Sequence, residues 1–369
     1  MTEIAKSFVG KGHLVKVITS STHYDSNVSS SQKLEGVDFF EIKSFGGDKN
    51  IVINRIINAL YTSFVLAWLV FKKSKKEDIV FAVTNPLFLV VLLAIVRKIK
   101  NFEYVLLVHD VFPENTVPVG ISTKEKTIYR LLLKIYNWAY RMPSKLIVLG
   151  EDMRRLVIEK GVEADRIKII PNWFDKELEN VEVLTKSRKT DKITIGFAGN
   201  IGRVQYLEGF IKIFNEIKNT NLELVIIGEG ANLESSKREA NKGRGNIIFL
   251  GAKPRSEQID FLQDFDIGLI TLSEGMYGLG VPSKIYNLLA MGKPVLYIGD
   301  SNSEIDIMNK KYNIGWSFSW NEKSEIFTLL ENLTVREIEK YQMTNRELAK
   351  QKYSNKIVLE QINNFVFNQ

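Results

Sequence analysis

The chain has 369 residues, 45% of them hydrophobic and 25% charged, with a formal net charge of +7 and an isoelectric point near 9.1. This length predicts two domains, and the basic excess suits nucleic acid, anionic lipid or a phosphate-bearing ligand without choosing among them. The absence of cysteine excludes disulfides, thiolate zinc sites and cysteine nucleophiles, and three histidines do not favour a histidine-rich metal site. The opening MTEIAKSFVGKGHLVKV lacks the apolar core of a signal peptide, which favours a cytoplasmic location.

In the first half, short β-rich apolar runs alternate with helical patterns, which predicts a parallel sheet covered by helices. The predicted strands are LVKVITS (14–20), DIVFAVT (78–84), EYVLLVHD (103–110), KLIVLG (145–150) and IKIIPN (167–172). The composition then turns polar and charged, so we predict a first domain over residues 1–175 and a linker over residues 176–191.

Two apolar runs, at residues 59–71 and 87–96, are shorter than the roughly 18–20 residues that cross a bilayer as a helix, so we expect buried or interfacial helices. Residues 53–76 join one of these runs to a lysine cluster. Such a segment is typical of peripheral contact with an anionic membrane surface. A core helix with a solvated basic end fits the same pattern equally well.

The second half repeats the alternation of strands and helices. The predicted strands are KITIGFAGN (192–200), LELVIIGEG (222–230), NIIFLGA (246–252), DIGLITL (266–272) and PVLYIGD (294–300). They predict a second domain over residues 192–350, followed by an amphipathic helix at 351–369 that can pack back on the first domain. Two doubly wound, Rossmann-like α/β domains then face a central cleft, where ligands of such folds usually bind.

Two glycine turns follow strands of the second domain. In FAGNIGR, the backbone around Gly199, Asn200 and Gly202 offers N–H groups for a diphosphate, and Arg203 adds a cation. A turn that serves chain geometry alone is an equally good interpretation, and the spacing disfavours a nicotinamide cofactor. The IIGEG turn presents Glu229, although such a turn more often only ends a strand.

The segment VPSKIYNLLAMGKPV begins a helix with features that favour an anion. Pro282 pre-sets the first turn, Ser283 is placed to cap free amides, and Lys284 adds a cation beside them. A solvated lysine is the alternative interpretation.

Acidic residues and a histidine mark two other positions. In VHDVFPEN, His109 and Asp110 end a strand on the cleft side, where a histidine is more often packed or hydrogen-bonded than catalytic. The DFD at Asp264 and Asp266 is not predicted to bind metal, because one carboxylate ends a helix and the other begins a buried strand.

Eight segments occur along the chain in the order typical of one family: GKGHLVKVIT, VTNP, VHDVFPEN, IIPNWFD, FAGNIG, IIGEG, FLGAKPR and VPSKIYNLLAMGKPV. Together they resemble the family 4 retaining glycosyltransferases with the two-domain GT-B fold, and most of all the bacterial amino-sugar transferases of capsule and O-antigen synthesis, of the L-fucosamine type. The resemblance covers nearly the whole chain. A nucleic-acid partner is disfavoured, because no basic and aromatic face is concentrated in the sequence.

The resemblance implies transfer of an N-acetylated aminodeoxyhexose or hexose from a nucleotide-diphosphate donor, UDP, with retention and without a metal or another cofactor. The acceptor would be a lipid-linked or growing surface polysaccharide, and the enzyme would be cytoplasmic or peripheral on the inner face of the plasma membrane.

The resemblance also implies roles for individual residues. The diphosphate would meet residues 199–202 and Lys284, and Asn287 would face the ribose. The base would lie beside Lys253, Pro254 and Arg255. The acceptor would enter near His109, which makes His109 and Lys284 the catalytic candidates.

The sequence departs from the family pattern at several positions. The second Glu of the Glu-x7-Glu motif falls on Asn287 and the first near Leu279, while a usual Arg and Lys fall on Asn200 and Gln205. Family members open with a strand and a glycine-rich loop followed by a helix, and Met1 falls inside that helix, so the first sheet is expected to lack an inner strand. These departures leave open a truncated, catalytically impaired protein that only binds nucleotide-sugar.

Overall fold

The computed structural model of the protein describes residues 1–21, 36–43, 52–181, 192–243 and 246–368. Most of the predicted linker, at residues 182–191, lies outside the described residues.

The first half alternates strands and helices as predicted. Its helices are α1 (Thr2–Gly10), α2 (Val52–Lys73), α3 (Leu89–Lys100), α4 (Thr127–Tyr140) and α5 (Glu151–Glu159), and its strands are β1 (Val15–Ser21), β2 (Val37–Lys43), β3 (Ile79–Val83), β4 (Glu103–Leu107), β5 (Lys145–Val148) and β6 (Ile167–Ile169). The strands form two parallel sheets, ordered β1-β2 and β3-β4-β5-β6. Within the described ranges, no ladder of hydrogen bonds joins the two sheets.

The second half forms one parallel sheet with helices on both faces. Its strands are β7 (Ile193–Ala198), β8 (Leu222–Ile227), β9 (Ile247–Gly251), β10 (Ile267–Thr271), β11 (Val295–Ile298) and β12 (Gly315–Phe318). Its helices are α6 (Leu207–Glu216), α7 (Leu233–Ala240), α8 (Gln258–Asp264), α9 (Lys284–Ala290), α10 (Glu304–Tyr312), α11 (Lys323–Asn332), α12 (Val335–Glu339), α13 (Gln342–Lys352) and α14 (Asn355–Phe367). The strand order β12-β11-β10-β7-β8-β9 reverses its direction of winding at β7. Ligands of open α/β sheets bind at the carboxyl ends of strands beside such a reversal.

Two strands were not predicted from the sequence, β2 (VDFFEIK) and β12 (GWSF). Both are edge strands that pair on one side only, β2 with β1 and β12 with β11. Neither is a continuous apolar run, and each takes strand conformation by pairing with the strand that precedes it in the chain, Val37 opposite Val15 in one pair and Gly315 opposite Val295 in the other.

Helix α2 is longer than the apolar run that predicted it. Its 22 residues span about 33 Å, and within the described residues it is the one helix that is long and apolar enough to cross a membrane. The expectation that this segment is too short to span a bilayer is therefore wrong by length and composition. Only 22% of the residues in its most apolar window are buried among the described residues, and the others are partly or largely exposed.

Helix α14 returns from the second half to the first and packs on α1. The Asn363 side-chain amide donates a hydrogen bond to Ser7 Oγ (2.7 Å), and the rings of His13 and Phe367 stack with centroids 3.6 Å apart. Buried residues of both halves belong to one continuous apolar cluster. The chain terminus therefore ties the two halves together through packed side chains.

Candidate functional site

A cavity of about 440 Å³ opens at the carboxyl ends of β7 and β8, beside the reversal of the strand order. This volume is in the range of small-molecule and cofactor sites. The cavity brings together eight of the predicted site residues: Gly199, Asn200, Glu229, Lys253, Pro254, Arg255, Lys284 and Asn287.

The other predicted residues do not line this cavity. Arg203 is exposed, and its guanidinium Nη1 donates to the carbonyl oxygen of Val119 in the first half (3.4 Å). Ser283 precedes α9 but makes no side-chain capping bond, because its backbone is already helical (φ −62°, ψ −22°). The predicted cap is therefore wrong. Gly202 is buried in the turn behind Asn200.

The turn at residues 199–202 is less open to an anion than its sequence predicts. Most of its N–H groups already donate hydrogen bonds: Gly199 to Ile227 O (2.9 Å), Ile201 to Glu229 O (2.8 Å) and Gly202 to Gln205 Oε1 (3.1 Å). Across the described residues, the Asn200 N–H is the one amide of this turn without a hydrogen-bond partner. The expected cradle of amides is thereby reduced to a single donor.

The two glycine turns touch backbone to backbone, which requires glycine at Gly228. Its φ is +148°, and a Cβ there would lie 1.9 Å from the carbonyl oxygen of Gly199. The IIGEG turn therefore does more than end a strand. Its Gly228 lets the turn at residues 199–202 pack directly against the end of β8.

Lys284 places a cation in the cavity wall. Its Nζ is enclosed, has no hydrogen-bond partner, and lies 3.6 Å from the ring centroid of Phe197. Burial lowers the pKa of this ammonium from 10.5 to about 7. A buried ammonium held only by an aromatic face is costly, and a bound anion would satisfy it.

Asn287 contacts the protein with both atoms of its amide. Its Nδ2 donates to Asp175 Oδ2 and its Oδ1 accepts from the Asp175 N–H, both at 2.9 Å. Arg255 forms an ion pair with the other oxygen of the same carboxylate. Asp175, which sequence reasoning did not single out, therefore joins two predicted donor-binding residues. Its one sequence signal is its position in IIPNWFD, directly before the predicted linker.

The floor of the cavity is apolar and was also missed. It is formed by Phe261, Leu262, Phe265, Leu269 and Leu288. A Cβ at Gly196 would overlap the Phe265 ring, at 2.1 Å, so glycine is needed in β7 at this position. An apolar floor below polar walls suits a ligand with a flat ring and a charged end.

His109 lies at the other side of the cleft, after β4. Its backbone N–H donates to Thr84 Oγ1 (3.1 Å), and burial lowers the pKa of its imidazole below 6.5. The imidazole is therefore neutral at pH 7. The following residue, Asp110, faces Gly280, where a Cβ would lie 3.2 Å from its Oδ1. His109 thus approaches the loop that leads into α9, although it does not line the cavity.

The part of the chain that the structure describes contains no group of three or more histidine, cysteine or acidic side chains placed to hold a metal ion. Asp266 Oδ2 instead accepts a hydrogen bond from the Thr194 N–H (2.8 Å). The absence of a metal cofactor stays a prediction.

Residues 1–178 match the family described as Glycosyltransferase Family 4, and residues 182–345 match Glycosyl transferases group 1. The chain is 31% identical over 320 residues to the probable glycosyltransferase WbjE of Pseudomonas aeruginosa, covering 85% of this chain and 80% of that protein. HepE of Anabaena, solved with UDP and glucose, has a TM-score of 0.70 at 14% identity, covering 96% of this chain and 100% of that one. A glycosyltransferase from Rickettsia africae has a TM-score of 0.64 at 15% identity, covering 100% and 94%.

The parallel sheets and these likenesses define a two-domain α/β enzyme of the GT-B fold, and the predicted fold class is confirmed. The chain belongs to glycosyltransferase family 4, and the prediction that it is a glycosyltransferase is likewise confirmed.

Proposed function

We propose that the protein is a retaining glycosyltransferase that transfers an N-acetylated aminodeoxyhexose or hexose from a UDP-sugar donor to a lipid-linked or growing surface polysaccharide, with UDP as the leaving group. The observation that carries the proposal is the unpartnered Lys284 ammonium in the cavity at the strand-order reversal. The complex of HepE with UDP and glucose supports a UDP donor.

In the proposed reaction the diphosphate binds Lys284 and the free N–H of Asn200, while the base lies on the apolar floor near Lys253 and Pro254. Negative charge grows on the diphosphate as the glycosidic bond breaks. The Lys284 ammonium stabilises this charge without a metal ion, since a fixed cation in an enclosed site needs no reorganisation. The acceptor hydroxyl approaches from the side of His109; its oxygen bonds to the anomeric carbon that the diphosphate leaves, and its proton passes to the neutral His109 imidazole.

The proposed acceptor side includes contact with a membrane. Helix α2 exposes Phe64 and Trp68, at 63% and 48%, and ends in Lys72 and Lys73. An uncovered apolar face with lysines at its end fits an anionic interface. The enzyme would then be a cytoplasmic protein, peripheral on the inner face of the plasma membrane, where a lipid-linked acceptor lies.

Calorimetry with UDP tests the donor site, and release of UDP from UDP-N-acetylhexosamines with bacterial lipid extract tests turnover. We expect UDP to bind with a dissociation constant below millimolar and turnover to persist in EDTA. No binding at millimolar UDP would overturn the proposal. Binding without any turnover would instead favour a protein that only binds nucleotide-sugar.

A further inference from the structure

A carboxylate stands on the wall of the donor cavity without an assigned role. Asp175 comes from the end of the first half, whereas Arg255 and Asn287, which flank it, belong to the second half. The Asp175 side chain is 22% exposed, so most of it is enclosed among these neighbours.

Three contacts hold this carboxylate in one orientation. Asn287 Nδ2 donates to Oδ2, Asn287 Oδ1 accepts from the Asp175 N–H, and Arg255 pairs with Oδ1. Backbone and side chain are therefore fixed by the same amide. A carboxylate held in this way is preorganised for a ligand, because it loses little freedom on binding.

The Asp175 carboxylate can still accept hydrogen bonds from donor groups of a ligand. Each oxygen of an ionised carboxylate accepts more than one hydrogen bond, and only one partner of each is provided by a protein side chain here. A phosphate is repelled by the Asp175 carboxylate itself and attracted by Lys284, which lies one turn before Asn287 on the same face of α9. In a nucleoside diphosphate the donors next to the phosphates are the ribose hydroxyls.

We propose that Asp175 recognises the ribose 2′- and 3′-hydroxyl groups of the donor nucleotide, with Asn287 as a positioning residue that acts through Asp175. The assignment rests on the proposed function, since it takes the ligand to be a nucleoside diphosphate. The sequence led us to expect that Asn287 faces the ribose directly. In this proposal the Asp175 carboxylate contacts the ribose, and Asn287 holds that carboxylate in place. Asp175 thereby makes the site selective for ribonucleotides over their deoxy analogues.

Calorimetry of the full chain with UDP, 2′-deoxy-UDP and 3′-deoxy-UDP tests this assignment. The readout is the ratio of affinities for UDP and each analogue, because general damage to the site lowers all three affinities and leaves their ratios unchanged. In the unmodified protein we expect each missing hydroxyl to weaken binding about tenfold or more, as for other hydrogen bonds to a charged group. In Asp175→Asn both ratios should fall to about twofold or less.

Asp260→Asn is the matched control, because Asp260 is an exposed residue of α8 outside the cavity lining. It should keep the ratios of the unmodified protein. Asn287→Ala keeps the Asp175 carboxylate but removes two contacts that Asn287 makes with Asp175. The affinity ratios of this variant should lie between those of the unmodified protein and about twofold, which tests the assignment even if Asp175→Asn does not fold.

Two results would overturn the assignment while leaving the proposed function standing. One is equal binding of UDP and its deoxy analogues by the unmodified protein, and the other is unchanged ratios in Asp175→Asn. A protein that binds none of the three nucleotides would overturn the proposed function and this assignment with it.

Discussion

At the scale of single residues, Lys284 combines an enclosed ammonium, an aromatic neighbour and no hydrogen-bond partner among the described residues. Burial lowers its pKa to about 7, so above pH 7 the unliganded protein increasingly holds a neutral amine. A bound diphosphate favours the ammonium form. Nucleotide binding is therefore coupled to proton uptake at this residue.

We predict that Lys284→Ala weakens UDP binding about tenfold to 150-fold, the equivalent of about 1.5–3 kcal/mol for a charged hydrogen bond. In the unmodified protein, UDP affinity should fall as the pH rises from 7 to 9, because a growing fraction of Lys284 must first take up a proton. The variant should lose this dependence. Calorimetry across this pH range measures both effects.

Lys212→Ala is the matched control, since Lys212 is an exposed lysine on α6. It should retain the affinity and the pH dependence. Thermal unfolding of unliganded Lys284→Ala should not move to much lower temperature, because relieving the burial of an ammonium without a hydrogen-bond partner offsets the lost contact with the Phe197 ring. Unchanged UDP affinity in Lys284→Ala would contradict the placement of the diphosphate.

The sequence predicted the cation and the glycines of the site because they lie at strand ends or at a helix start, where local patterns are informative. It missed Asp175 and the aromatic floor of Phe261 and Phe265. Asp175 reaches the cavity only because the end of the first half packs against the second half. Phe261 and Phe265 lie one turn apart at α8 and reach it by packing within the second half, with the Phe265 ring beside Gly196 of β7.

At the scale of elements, α2 is distinguished by the large apolar side chains that it exposes to solvent. Its contacts with β1, β2 and α3 bury residues such as Leu66 and Ala67, while Phe64 and Trp68 project outward. The apolar run and its lysine cluster fitted either an interfacial helix or a core helix with a basic end. The positions of β1, β2 and α3 in the tertiary structure determine which apolar side chains of α2 are buried and which remain exposed to solvent.

We predict that the double substitution Phe64→Ser and Trp68→Ser reduces binding to vesicles rich in phosphatidylglycerol at least about tenfold, since burying one large apolar side chain contributes about 1.5–3 kcal/mol. Flotation of the protein with such vesicles at low salt measures this. High salt should release the unmodified protein, because the lysine attraction to anionic lipid is screened.

Met343→Ser on α13 is the control, as Met343 is equally exposed on another helix, at 67%. It should leave vesicle binding unchanged. If the unmodified protein stays wholly unbound at low salt, α2 is not a membrane contact.

At the scale of the whole molecule, two helices from different halves cap one another. Glu304 at the start of α10 accepts from the Glu151 N–H of α5 through Oε2 (2.7 Å), while Asp152 Oδ2 accepts from the Glu304 N–H (2.9 Å). Asp152 also accepts from the Gly278 N–H (3.2 Å). Burial, together with the neighbouring acids Asp152 and Glu151, raises the pKa of Glu304 from 4.5 to about 7.

This pair makes the junction of the halves sensitive to pH. Between pH 4.5 and 7 the folded protein holds a proton on Glu304 that the unfolded chain has released, so stability falls as the pH rises through this window. Glu304→Gln keeps an acceptor for the Glu151 N–H without the charge. We therefore predict that it unfolds at a higher temperature than the unmodified protein at pH 7.5, by roughly 2–4 °C, and at a similar temperature at pH 4.5.

Scanning fluorimetry at the two pH values measures the difference. Glu234→Gln, at an exposed position on α7, should follow the unmodified protein at both. A Glu304→Gln protein that loses stability at pH 7.5 would show that the carboxylate is ionised and favourable at the junction.

The sequence by itself determined the α/β class, nearly all strands and the family. Apolar runs and glycine turns are local patterns, and their order along the chain can be read without the tertiary structure. The tertiary structure decided which turn amides remain free, that Ser283 does not cap α9, and that Asn287 binds Asp175. These outcomes depend on distances between segments remote in sequence. A hydrogen-bond donor is free only when no such neighbour has already accepted its bond.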